Sequence, residues 1–264
     1  MRVYLYDGSF EGFLCCVGYS YKNRERPMDI VSLESGQSMF YDTVVIDTDP
    51  DRAAAVYRFI ADKTGQDRRS GNNQYTAGYV TPKVFVKLAF LSCLDKKEML
   101  IYDFIGLAIK HGAEVLGQIT NDVIHTLLKA VRHLEREAHL LKGFTRFKVL
   151  KSEPDEYMIA QISPKNMVLP LLAPHFCDRY KNQNFLVHDN VHSMALLYEK
   201  GQESMFGLDK FEPGELHEEE AEYQRLWKQF YNTIAIKERK NDRCRMSLMP
   251  KRFWSNMIEV QELV

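Results

Sequence analysis

The sequence predicts an α+β protein, with an antiparallel sheet from residues 1–6 and 146–200 surrounded by helices. Three observations carry this. Residues 1–6 alternate Val3 and Leu5 with Arg2, Tyr4 and Tyr6, the two-residue period of a strand. Residues 121–142 place Ile124, Leu127, Leu128, Val131, Leu134, Ala138 and Leu141 at three- and four-residue steps, the core face of a helix. Residues 146–200 read as two hairpins around a helix, in β-β-α-β-β order. A hydrophobic content of 45% and a charged content of 27% are ordinary for a globular chain. The expected organisation is one domain over residues 1–264, with a helical section at 50–142 and another at 216–258.

After the first strand, Asp7-Gly8-Ser9 offers turn geometry and side-chain oxygens for the free N–H groups of a helix start. That helix carries Phe10, Phe13, Leu14, Val17 and Tyr21 on one face. Residues 39–46 read as a second strand. Asp49-Pro50 then opens a helix with Val56, Phe59 and Ile60 on its apolar side, ended by Gly65 and a polar loop at 67–73. Two further helices are expected near 79–93 and 96–110. In the sheet region, Ser152-Glu153-Pro154-Asp155 centres the first hairpin and Asn190 the second, with a helix at 168–180 between them. A long helix at 216–240 would turn Tyr223, Leu226, Trp227, Phe230 and Ile234 inward.

The net charge of −1 conceals segregation. Residues 203–222 hold eight carboxylates against Lys210 alone, and residues 236–254 hold seven basic residues and end in Phe253-Trp254. Forked guanidinium donors suit phosphate oxygens and aromatic faces stack on bases, so the basic run fits a nucleic-acid contact. It also fits a solvated helix end with a packed aromatic anchor, and charge runs are usually solvated faces. A second basic stripe, His125, Lys129, Arg132, Arg136 and His139, falls within a helical sector of roughly 80°. It too suits either a phosphate backbone or solvent.

The acid/base groups open to catalysis are Asp7, Glu11, His175, Asp178 and His188. Asp7 and Glu11 at i, i+4 also read as a cap and a first-turn carboxylate. His175 and Asp178 also read as part of a salt-bridged surface, and His188 as a turn stabiliser. Neither a dinucleotide nor a nucleotide-triphosphate loop is present, and no H-E-x-x-H or G-x-S-x-G occurs. No cofactor or metal is therefore expected. Five cysteines without a C-x-x-C pair read as buried, reduced thiols. No run approaches the ~20 apolar residues of a membrane span, and the first residues lack a secretory pattern, so a cytoplasmic protein without membrane contact is expected.

Several segments are familiar in combination: Tyr-Asp-Gly-Ser-Phe-Glu-Gly-Phe at 6–13, Gly-Phe-Thr-Arg-Phe at 143–147, Ile-Ser-Pro-Lys at 162–165, Leu-Leu-Ala-Pro-His-Phe-Cys-Asp-Arg-Tyr at 171–180, and Met-Pro-Lys-Arg-Phe-Trp at 249–254, preceded by Arg243-Cys244. Their order and spacing resemble a bacterial family of unknown-function domains described as DNA-repair or DNA-metabolism proteins. In that family a stand-alone form accompanies a radical S-adenosylmethionine (radical SAM) protein, and a longer form precedes a uracil-DNA-glycosylase-like domain. No glycosylase-type motif occurs in these 264 residues, so the stand-alone form is expected. The positions that match best are Asp7, Arg146, Pro174, His175, Asp178, Arg179, Pro250, Arg252 and Trp254.

The resemblance implies a DNA-contacting accessory factor with DNA and a radical SAM protein as partners. Phosphate contacts would come from Lys129, Arg132, Arg136, Arg146, Arg243, Arg245, Lys251 and Arg252, with Trp254 near a base. An enzyme acting on damaged DNA or a nucleotide, and a partner subunit that does not bind DNA, are the alternatives.

Overall fold

The computed structural model describes residues 2–35, 41–64, 81–150, 156–212, 214, 217, 219–234, 236, 238 and 241–260. The expected loop at 67–73, the hairpin centre at 152–155, the strand start at 39–40, Gly65, Glu215, Glu218, Lys237, Arg239 and Lys240 lie outside them. The chain divides into two compact units, residues 1–133 and 134–264, and the division falls within one helix.

In the first unit, β1 (Val3–Tyr6) runs parallel to β2 (Asp29–Ser32) on one side and β3 (Thr43–Val45) on the other. Parallel neighbours need a crossover connection, and α1 (Phe10–Asn23) supplies it between β1 and β2. The expectation that residues 1–6 join the sheet of residues 146–200 is thus corrected, because both edges of β1 are taken by β2 and β3. Residues 29–32 form a strand that the sequence pattern does not predict.

Helix starts follow the chain's capping residues. The Ser9 hydroxyl accepts from the Gly12 N–H at 2.9 Å. Asp49 accepts from the N–H groups of Asp51 and Arg52 at α2 (Pro50–Thr64). Thr81 caps α3 (Pro82–Leu91), and α4 (Lys97–His111) follows. Lys97 closes the far end of α3, its ammonium donating to the carbonyls of Phe90 and Ser92 at 2.5 and 3.1 Å. The core joins Tyr4, Tyr6, Phe13, Ile30, Ile60, Phe85 and Phe104 to Ile124, Leu127 and Val131 of α5 (Asp122–Phe144).

The second unit continues α5 through buried Leu134, Ala138 and Leu141. Its five-stranded sheet runs β4 (Lys148–Leu150), β5 (Tyr157–Ile162), β6 (Asn184–Asp189), β7 (Met194–Glu199), β8 (Gln202–Gly207). The sheet is mixed, not purely antiparallel as expected. β5 and β6 are parallel because α6 (Leu169–Arg179) carries the chain back to the same end between them. The two expected hairpin pairings, β4–β5 and β6–β7, are antiparallel. β8, hidden in the acidic segment, pairs with β7 across Lys200-Gly201, both at positive φ (49° and 82°) as a two-residue hairpin turn requires.

The chain ends in α7 (Glu220–Ile234), α8 (Asp242–Leu248) and a 3-10 turn at Lys251–Asn256. The inward face expected of α7 is not inward: Tyr223, Leu226, Trp227, Phe230 and Ile234 are 39–58% exposed.

Candidate functional site

Three turns of chain meet in the second unit around an open cleft of about 1190 Å³. The end of α5 and α6 bring His139, Lys142, His175 and Arg179. α7 brings Tyr223, Leu226, Trp227 and Phe230. Below them Phe147, Phe176, Tyr180 and Phe185 form a ring cluster with centroids 5.1–6.4 Å apart.

The α7 wall is anchored at two points. Glu220, buried at its first turn, accepts from the Val149 N–H of β4 at 3.0 Å and from the Gln224 amide at 2.8 Å. Trp227 lies under the Arg146 guanidinium, 5.4 Å from its ring centre, and hydrogen-bonds Glu259. Arg146 itself makes four hydrogen bonds. It donates to both Glu259 oxygens at 2.5 and 3.3 Å and to the carbonyls of Gly143 and Thr145 at 2.7 and 3.2 Å. Burial acts to raise the Glu259 pKa, but the bonds from Arg146, its own backbone and Trp227 outweigh it and hold the carboxyl below its usual range.

Basic side chains outnumber acidic ones in the cleft lining. Glu220 is the one carboxylate among the described lining residues, and both its oxygens are engaged. His175 is held below the ordinary histidine range, first by burial and then by the charges of Lys142 and Arg179, with Asp178 opposing. Arg179 lies 5.7 Å from the Tyr180 ring centre, presenting cation and aromatic face together. Such a lining can hold phosphate groups and planar rings. Among the described residues no group of three His, Cys, Asp or Glu side chains is placed to hold a metal ion.

The acid/base candidates fall in both units, Asp7 and Glu11 in the first and His175, Asp178 and His188 in the second. Asp7 accepts from the Ser9 N–H and hydroxyl (2.9 and 2.6 Å) and from the Thr48 hydroxyl (2.8 Å), binding the end of β1 to the start of α1 and to the segment after β3. Burial would raise its pKa, but these bonds hold it low. Glu11 is an exposed first-turn residue of α1. His188 is buried on β6, its Nε2–H donating to the Leu208 carbonyl at 2.8 Å. Asp178 is exposed on α6 and outside the cleft lining, so within the second unit only His175 of this set reaches the cleft.

The nucleic-acid candidates divide. Lys129, Arg132 and Arg136 are exposed on α5, and Arg243 is exposed on α8. Arg146 reaches the cleft with its charge already neutralised. Among the described residues of the C-terminal run, Arg245, Arg252 and Trp254 are held by contacts within the fold, while Lys251 is exposed. Trp254 is 2% exposed and donates its Nε1–H to the Met249 carbonyl at 2.9 Å, which corrects its expected place near a base. Arg245 and Lys251 lie 5.2 and 5.6 Å from its ring centre, and Arg245 also pairs with Asp242 at 3.0 Å.

Arg252 pairs at 2.5 Å with buried Glu137, whose carboxylate also accepts from the Lys165 N–H (3.0 Å), the Asn166 N–H (2.8 Å) and the Asn166 side-chain amide (2.5 Å). Burial would raise the Glu137 pKa, but these donors and Arg252 hold it low. The segments at 162–165 and 249–254 that drew attention in the sequence therefore meet on one buried carboxylate of α5.

Sequence reasoning missed the cleft itself. It assigned Tyr223, Trp227 and Phe230 to a core, and it gave Lys142 no role. The available signal was the aromatic weight of the α7 face.

A family model for a domain of unknown function, DUF4130, matches residues 95–259, a stretch that contains every lining residue of the cleft. No curated protein and no solved structure matches the chain.

Proposed function

The chain belongs to the DUF4130 family, and from that premise we propose that it is a DNA-contacting accessory factor that binds nucleic acid in the cleft of its second unit. The sequence resemblance supplies the DNA context and a radical SAM protein as working partner. One observation carries the reading. Lys142, His139, His175 and Arg179 share a cleft with aromatic side chains, and its one carboxylate among the described residues is already bonded. Polyanions with planar groups are the ligands that satisfy both kinds of lining.

The reading moves the contact away from the C-terminal basic run, whose Arg252 and Trp254 hold the fold together. Fluorescence anisotropy of the full chain with labelled oligonucleotides at two salt concentrations tests it. Each phosphate contact contributes ~0.7–0.9 to the slope of log affinity against log salt, so Lys142→Ala/Arg179→Ala should weaken binding and flatten the slope by about 1.4–1.8. No binding to any DNA form at low salt, or binding that ignores salt, would refute the proposal.

A further inference from the structure

Resting on that reading, we infer that the cleft takes single-stranded rather than duplex DNA, with unpaired bases against Tyr223 and Phe230 of α7 and phosphates along Lys142 and Arg179.

The argument begins with the α7 wall. Tyr223 is 57% exposed and Phe230 54%, on a helix whose polar side is solvated as well. Exposed large apolar side chains gathered on one face mark a contact surface. Phosphates cannot satisfy that face. Duplex DNA presents mainly phosphates to a surface contact, because its base faces are covered by their neighbours in the stack. A single strand offers both chemistries at once, charge along the backbone and free π faces beside it.

The geometry of the wall agrees. Tyr223, Trp227 and Phe230 stand at i, i+4 and i+7, so their rings step ~6 Å and ~4.5 Å along the helix axis. The middle ring is fixed by Arg146 and Glu259, and its centre lies 5.8 Å from that of Phe230. Trp227 is therefore the positioning residue that sets the wall, and Tyr223 and Phe230 are the faces left for stacking. At about 1190 Å³ the cleft exceeds the ~300–1,000 Å³ of a site for one small molecule, as an open path for a polymer segment should. The ends of α5 and α6 supply the matching charge: Lys142 and Arg179 line the same cleft and have no carboxylate partner among the described residues.

The test uses the full chain, a labelled 15-nucleotide single strand and a hairpin duplex of the same sequence. The single strand should bind at least tenfold more tightly than the duplex. Tyr223→Ala/Phe230→Ala should weaken the single strand by at least tenfold, from the lost stacking, while leaving the salt slope and duplex binding unchanged. Both side chains are exposed, so the melting temperature should hold and a folding defect is separable.

Equal affinity for both forms with no effect of the aromatic variant would overturn the inference and leave the DNA-contact reading standing. No binding of either form would overturn both. A change in oligomeric mass by light scattering in the aromatic variant, with DNA binding intact, would assign the face to a second copy of the chain and also overturn it.

Discussion

Glu137→Ala should cost the second unit a large part of its stability. The Glu137 side chain has no exposed surface and is the acceptor for three N–H groups besides its Arg252 partner. Breaking a buried ion pair from one side costs ~3–5 kcal/mol, mostly as the charge left behind. Arg252 is 30% exposed and can turn to water, which places its share at the low end. The orphaned donors of Lys165 and Asn166 add ~1–3 kcal/mol each if they stay buried. Relaxation of the 163–166 turn offsets part of this, leaving about 4 kcal/mol against the ~5–15 kcal/mol of a typical fold.

At ~2–4 °C per kcal/mol, the melting transition should fall by roughly 10 °C. Calorimetry and urea unfolding measure it. Arg252→Ala should cost less, because Glu137 keeps its three N–H donors, and the two changes together should be markedly less than additive. A Glu137→Ala transition within 2 °C of the parent would refute the reasoning, and with it the structural role given to Arg252.

Three further outcomes follow from the same geometry. The folded pKa values of Glu137 and Glu259 lie below the ordinary range, so their contribution is complete above the unfolded value of ~4.3 and lost as pH falls through the lowered values. Melting temperature against pH should drop across that window in the parent and less steeply in Glu137→Ala. A phosphate in the cleft would favour the His175 cation, so DNA binding should take up a proton and strengthen as pH falls toward the lowered pKa of His175 in the free protein; calorimetry in two buffers would show no proton uptake if His175 stands apart from the ligand. Thiol titration should find Cys93 and Cys244 reactive at once, since both are exposed, contrary to the expectation of uniformly buried cysteines. Cys177, pushed up to about 11 by burial and Glu203, should react slowly, and Cys15 and Cys16 only on unfolding.

The local elements were legible. The apolar steps of α5 end in buried Ile124, Leu127, Val131, Leu134, Ala138 and Leu141. Ser9 and Asp49-Pro50 start helices where their chemistry directs. The missed strands had reasons. β2 spans only Asp29–Ser32, too short for a clear period, and β8 is an edge strand with exposed positions inside an acidic segment. The Lys200-Gly201 turn was the usable sign of the second.

The sequence by itself determined the α+β class, most of the helices and the two expected hairpins, because caps, turns and periodicities act between residues a few positions apart. It also determined that α7 has an apolar face. Tertiary structure alone decided that β1 pairs with β2 and β3, that β5 and β6 run parallel, and that Arg252 spends its charge on Glu137. It alone left the α7 face open beside Lys142 and Arg179. A spacing along a helix fixes which side chains share a face. What lies opposite that face depends on partners brought near by the folded chain, and local spacing carries no record of them.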